Sequence, residues 1–93
     1  MVPEITHDPE RRRLQANVEG NLCVLDYALD GTVMIITHTE VPPAIGGRGI
    51  AAALVRAALE LARDAGWSVS PACSYAMAWM QRHPEYDDLR APR

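Results

Sequence analysis

The sequence predicts an α/β chain of the α+β kind, with a single mixed sheet: an antiparallel meander of three strands, then helix, strand and helix. Three observations carry this expectation. Short runs of β-type residues fill the first half and are divided by Glu19-Gly20-Asn21 and Asp30-Gly31. After Pro42-Pro43 the apolar spacing changes from alternation to the three-and-four pattern of a helix. One short strand-like stretch, Trp67 to Pro71, then lies between two helical ones.

Leu14, Ala16 and Val18 alternate and form the first predicted strand. "LCVLDYAL", Leu22 to Leu29, is apolar at nearly every position, so this second strand is covered on both faces or central in its sheet. Asp30-Gly31 is a strong hairpin signal, with positive φ expected at both residues. The return strand runs from Thr32 to Val41. Pro42-Pro43 ends it, because neither residue has a backbone N–H for the ladder. Ile50, Ala53, Leu54, Ala57, Ala58 and Leu61 then share one helix face, with Arg56, Glu60, Arg63 and Asp64 on the other. Arg56 and Glu60 are spaced as an i,i+4 ion pair, and Gly66 is a natural stop. The fourth strand, Trp67 to Pro71, is expected parallel to the third, through a right-handed crossover. "SYAMAWMQR" is the second helix; Pro84 breaks it, with His83 meeting its last carbonyls.

The chain has 93 residues, 48% hydrophobic and 23% charged, the composition of an ordinary globule. This length predicts a single domain over residues 1–93. All nine basic residues are Arg, so chemistry that needs a Lys is excluded. A net charge of −3, with the one basic run Arg11-Arg12-Arg13 beside Asp8 and Glu10, argues against a nucleic-acid partner. The N-terminal "MVPEITHDPE" lacks the apolar core of a signal peptide. No run approaches the ~20 apolar residues that span a bilayer. No membrane partner is therefore expected, and the expected location is cytoplasmic. Cys23 and Cys73 form no CxxC pair, and the His residues lack ligand spacing with either, so no metal is expected.

"IGGRGIAAALV", Ile45 to Val55, puts three glycines before the strongest helix of the chain. A phosphate loop of the Walker type ends in Lys, which the chain does not have. Gly47, Gly49 and Ala52 match the dinucleotide pattern G-x-G-x-x-A. That motif belongs to a βαβ unit with an acid at the end of the next strand, and here that strand ends Val69-Ser70-Pro71. The third reading is an acyl-coenzyme A site. A helix N-terminus offers free N–H groups to a pyrophosphate, and glycines let it approach. The prolines end the ladder just upstream and leave strand backbone free for the amides of a pantetheine arm. This reading alone accounts for the glycines and the prolines together.

"HTEVPPAIGGRGIAAALVRAALELARDAGWSVSPACSYAMAWMQRHPEYDDL", His38 to Leu89, resembles the GNAT superfamily of N-acetyltransferases, and within it the small YjdJ-like group. "RGIA" and "HPEY" are typical of that group. The superfamily loop reads Arg or Gln, two residues, Gly, one residue, then Gly or Ala. Gly49 and Ala51 fill the last two places, while Gly46 stands where relatives carry Arg or Gln. Arg48 is the candidate to compensate. The resemblance implies an acetyl-CoA site at the splay between the third and fourth strands, with Val41, Gly46, Gly47, Arg48, Gly49, Ile50 and Ala51 around the cofactor. It also implies acetyl transfer to an amine acceptor, which nothing in the sequence identifies. The chain lacks the helical pair that usually follows the first strand and shapes the acceptor pocket. The alternative function is therefore a CoA-binding or partner-binding module with little catalysis.

Acetyl transfer needs a base for the ammonium and a proton for the departing thiolate. Glu40 stands near the end of the third strand, where several GNAT enzymes place their base, and His38 shares its face. The plainer reading makes both polar rim residues of a sheet. Cys73 follows the last strand, as a nucleophile at a helix N-terminus or as a small packed hydrophobe. Tyr75 or Tyr86 is the candidate proton donor to the thiolate, and either also fits a packing role.

Overall fold

The structure is a computed structural model that describes residues 3–92. A five-stranded sheet has the order β1-β2-β3-β4-β5, with β1 Thr6–Asp8, β2 Arg13–Val18, β3 Asn21–Asp30, β4 Val33–Glu40 and β5 Ser68–Pro71. The first four strands are antiparallel, and β5 pairs parallel to β4, as the mixed sheet requires. Helix α1, Ile50–Ala65, joins β4 to β5, and α2, Ser74–Arg82, follows.

Three expectations are corrected. β1 is an additional edge strand; "THD" has no apolar alternation, and His7 Nε2 is 2.6 Å from the Tyr27 hydroxyl on β3. The second hairpin turns one residue later than its Asp-Gly signal, at Gly31-Thr32, because Asp30 still pairs with Val33. Positive φ occurs there only at Gly31, whereas Glu19-Gly20, positive at both residues, is the I′-type turn. Arg56 and Glu60 form no direct ion pair among the described residues. The Tyr86 hydroxyl, 26 residues further on, donates to Glu60 at 2.7 Å and accepts from Arg56 Nη1 at 3.2 Å.

Leu14, Cys23, Leu25, Tyr27, Met34, Ile36 and Val69 line one face of the sheet. Leu54, Val55, Ala58 and Leu59 of α1 and Ala76, Trp79 and Met80 of α2 cover it. Burying a side chain of Leu or Ile size is worth about 1.5–3 kcal/mol, so this one layer carries the fold. The opposite face has no helix on it among the described residues, and Leu22 there is 47% exposed. The apolar composition of β3 thus reflects its central place rather than cover on both faces.

Both ends of α1 depend on left-handed glycines. Gly49 caps its start at φ 77°, and Gly66 ends it at φ 78°. Past that end the Trp67 N–H reaches back to the Ala62 carbonyl at 2.8 Å, a Schellman closure. His83 ends α2 as expected: its ring stacks on Trp79 at 3.7 Å, and its Nδ1 lies 2.7 Å from the Trp79 carbonyl. The "HPEY" stretch is thereby a clasp. His83 closes α2, and Tyr86 ties the following 3-10 segment, Pro84–Leu89, to α1.

Candidate functional site

The loop from Val41 to Gly49 leaves the end of β4, turns through a 3-10 segment at Pro43–Ile45, and enters α1. Gly46 has ordinary extended backbone, φ −63° and ψ 160°. Gly47 and Gly49 are left-handed at φ 79° and 77°, flanking Arg48. Alternation of this kind turns successive amides toward one concavity. The N–H groups of Gly47, Arg48, Gly49, Ile50, Ala51 and Ala52 have no acceptor among the described residues, and Ala53 is the first to bond, to the Gly49 carbonyl at 3.0 Å. The first turn of α1 contains no acid, so the positive end of its dipole is uncompensated. A Cβ placed at Gly47 or Gly49 would meet nothing within 4 Å. The glycines answer a backbone requirement, and the space above them is open.

Next to this loop the sheet splays. β4 and β5 pair only up to Ile36 and Pro71. The Ala72 and Cys73 amides both then turn onto the Ile36 carbonyl, at 3.0 and 2.9 Å, and the chain swings into α2. His38–Glu40 keep β3 on one side, and from Thr37 to Glu40 the strand has no β5 partner on the other.

A bulge sets which side chains face which way. Tyr27 pairs with Ile36 and Asp26 with His38, so Thr37 is the extra residue. Its hydroxyl donates to the Asp26 carbonyl at 3.2 Å. The shift sends His38 and Glu40 to the helix-free face, where His38 Nε2 lies 3.2 Å from Glu40 Oε1. Their side chains are 53% and 65% exposed. Thr39, between them, points to the helix side.

There it meets Cys73, whose Sγ lies 3.7 Å from the Thr39 hydroxyl. The two cysteines, both free, diverge in chemistry. Burial pushes the Cys23 thiol above its ordinary value. Burial also acts upward on Cys73, but the Ala76 N–H, the Thr39 hydroxyl and the N–H groups of Tyr75 and Thr39 together bring it below the ordinary value. Cys73 is the N-cap of α2, which supplies two of those donors. Tyr75 lies in the first turn of the same helix, half-buried against the core. The Tyr86 hydroxyl is engaged in the clasp, and hydrogen bonding to Glu60 and then burial raise its pKa.

Arg48 does not turn toward the place of the missing Gly46 side chain. Its guanidinium pairs with the Glu19 carboxylate in the β2–β3 turn. The structure thus brings the loop residues together at the α1 entrance and Cys73 and Thr39 together at the splay, with Tyr75 in the adjoining turn of α2 packed against the core. His38 and Glu40 lie across the strand from them. Thr39 and Glu19 are site neighbours that sequence reasoning missed, being paired across 34 and 29 residues with no local signal.

Residues 13–89 match the family model described as GCN5-related N-acetyl-transferase. The chain belongs to that family. Among curated proteins it is similar to Protein NATD1 of Gallus gallus, 32% identical over 84 residues that cover 87% of this chain and 76% of that protein. Protein NATD1 of Homo sapiens is likewise 32% identical over 83 residues, 86% of this chain and 74% of that one. A solution NMR structure from Staphylococcus aureus, described as a GCN5-like candidate N-acetyltransferase, superposes with a TM-score of 0.77. It covers 97% of this chain and 89% of its own at 24% identity, a likeness of fold. Family membership supports acetyl-transfer chemistry as the general activity of this GCN5-related chain.

Proposed function

We propose that the chain binds acetyl-CoA and transfers its acetyl group to an amine by direct attack of the amine on the thioester. One observation carries this reading: the acceptor-free amides from Gly47 to Ala52 adjoin an unpaired stretch of β4, Thr37–Glu40. A ligand with a pyrophosphate next to an extended, amide-bearing arm fits that pair of features. Acetyl-CoA, when bound, would supply the acetyl group activated as a thioester, with CoA as the leaving group. The amides, at the positive end of α1, hold the phosphates. The free edge of β4 orients the arm and points its end at the splay.

At the splay Glu40 takes the proton of the incoming ammonium, with His38 in hydrogen-bond contact to share it. The amine nitrogen then bonds the carbonyl carbon and the C–S bond breaks; Tyr75 or Cys73 gives the thiolate its proton and is restored by the second proton that the nitrogen sheds as the amide forms. His38 and Glu40 face the open side of the sheet, so the amine arrives from there. Their exposure also supports a second reading, a CoA-binding module whose acceptor surface comes with a partner.

Calorimetric titration with CoA, acetyl-CoA and NADH tests the binding step. The first two are expected to bind and to raise Tm by mass action, and NADH is expected to do neither. With an identified acceptor, Glu40→Gln slows turnover by about a hundredfold or more and leaves CoA affinity unchanged. Binding without turnover on polyamines, small amines or peptides favours the module. Equal binding of NADH removes the reading altogether.

A further inference from the structure

The sheet face that carries His38 and Glu40 has a charge order of its own. Asp8 pairs with Arg13, Arg13 with Asp26, and Asp26 with His38, so these side chains form one transverse row from β1 to β4. Arg13 grips Asp26 twice, Nε to Oδ1 at 2.7 Å and Nη2 to Oδ2 at 3.4 Å. Asp8 lies 3.5 Å from Arg11. Both acids of the row therefore have a guanidinium already. Hydrogen bonding to Asp26, then the charges of Asp26, Asp8 and Glu40, favour the charged form of Arg13, which sets a fixed cation within electrostatic reach of Glu40.

In the other direction, toward the end of β4, the same face turns apolar. Val24 is the residue opposite Glu40 and is 8% exposed. Leu22, two positions back on the same side of β3, is the exposed large hydrophobic among the described residues. The β3–β4 register, continued past Glu40, brings Pro42 opposite Leu22, while Val41 between them packs on the core. Asn17, across from Leu22 on β2, is neutral, and Glu19 beyond it is held by Arg48. The nearest acid without such a partner is Glu4, beside Asn17 and two strand spacings from Leu22, about 10 Å away.

We infer that the acceptor is a primary amine on an uncharged aliphatic tail, with its nitrogen at Glu40 and His38 and its tail laid over Val24 toward Leu22 and Pro42. This rests on the acetyl-transfer reading above and names its substrate class. Glu40 to Leu22 is one strand spacing across and two residues along, roughly 8 Å, the length of a short alkyl chain. A methyl at the far end covers Leu22 and takes apolar surface out of water. A second ammonium there loses hydration against Leu22 and Pro42 and finds no free carboxylate. Turned the other way, along the charged row, it meets Arg13. Leu22 is thus the specificity-determining residue.

The test compares n-hexylamine with 1,5-diaminopentane, which match in length and differ by a terminal methyl against an ammonium. Thiol release from acetyl-CoA gives kcat/KM, and NMR titration of the ¹⁵N-labelled chain locates each amine without turnover. Hexylamine is expected to have a kcat/KM higher by about tenfold or more, and to shift the amides of Leu22, Val24 and Glu40. Leu22→Ser, at an exposed position, should lower that value about three- to fivefold and leave the diamine unchanged. Leu22→Asp, with its fold checked by Tm, should bring the diamine level with hexylamine or above it. Equal or better kcat/KM for 1,5-diaminopentane in the parent chain would overturn the inference. So would the same result for spermine, which is long enough to reach Glu4, or a preference unmoved in both variants. Turnover of hexylamine without shifts at Leu22 and Val24 would remove the seat of the tail and leave the acetyl-transfer reading intact. Shifts at those amides with no thiol release from any amine would remove the transfer step and keep the amine seat.

Discussion

Gly46 and Gly49 stand in one loop and are expected to respond in opposite directions to the same added methyl group. Gly49 has φ 77°, where an L residue costs about 1–2 kcal/mol. Its Cβ would meet nothing within 4 Å, so Gly49→Ala adds no steric term to that cost. Gly46 has φ −63°, and its Cβ would lie 3.5 Å from the Pro43 carbonyl oxygen, an ordinary contact. Gly46→Ala therefore keeps only the gain from restricting the unfolded chain, about 0.4–1 kcal/mol. That gain is common to both variants, so the difference between them isolates the backbone cost of about 1–2 kcal/mol. At this chain length each kcal/mol moves Tm by about 4–8 °C. Urea titrations without ligand measure both variants against the parent, and unchanged m-values keep the comparison valid. Equal stability of the two variants would refute the left-handed assignment at Gly49 and the geometry of the amide run built on it.

Further outcomes are expected from the same structure. Gly46→Arg, permitted by that backbone, supplies the side chain that the superfamily loop pattern implies there and should tighten CoA binding by about five- to tenfold in calorimetry, at the scale of one charge-assisted hydrogen bond; unchanged affinity would place the pyrophosphate elsewhere. Tyr86→Phe removes the hydroxyl between Glu60 and Arg56 and should destabilise the chain by about 1–2 kcal/mol in urea, with CoA affinity unaffected. Alkylation of Cys73 should show a pH midpoint below that of an ordinary thiol, because its hydrogen bonds favour the thiolate. Thr39→Val removes one of those donors and should move the midpoint upward, while bound CoA should slow the reaction in both proteins. A midpoint in Thr39→Val equal to the parent's would exclude the Thr39 contact.

Much of the fold was readable because its signals are local. Alternation in Leu14–Val18, the helical spacing from Ile50, Gly66 and the Pro42-Pro43 break each act within a few residues, and each element appeared where expected. β1 was not readable, since Thr6, His7 and Asp8 bury almost nothing and are held by pairing with β2. For the site, periodicity put His38 and Glu40 on one face but could not say which. The bulge at Thr37 decides that, and it arises from the register against Asp26 and Tyr27 rather than from the residues at the bulge. The partners of Arg56 and Glu60 show the same limit: neighbours at i,i+4 were the local expectation, and a tyrosine from the far end of the chain displaced them. The Cys73–Thr39 contact likewise exists only once the β4–α1–β5 crossover has closed.

The C-terminal segment after the clasp bears on solubility. Arg90 makes a parallel bridge with Val69, and the Ala91 N–H donates to the Val69 carbonyl at 2.8 Å, along the outer side of β5. An unguarded edge strand is a template for another chain. Here that edge is four residues long, ends in a proline with no N–H to offer, and is occupied at Val69 by the chain's own backbone. The opposite edge, β1, is only three residues long. Apart from the splay at β4, the two outer edges of the sheet therefore present little hydrogen-bonding backbone for edge-to-edge growth. A chain cut back to Leu89 would reopen the β5 side, so its first symptom should be self-association at high concentration, ahead of any loss of secondary structure.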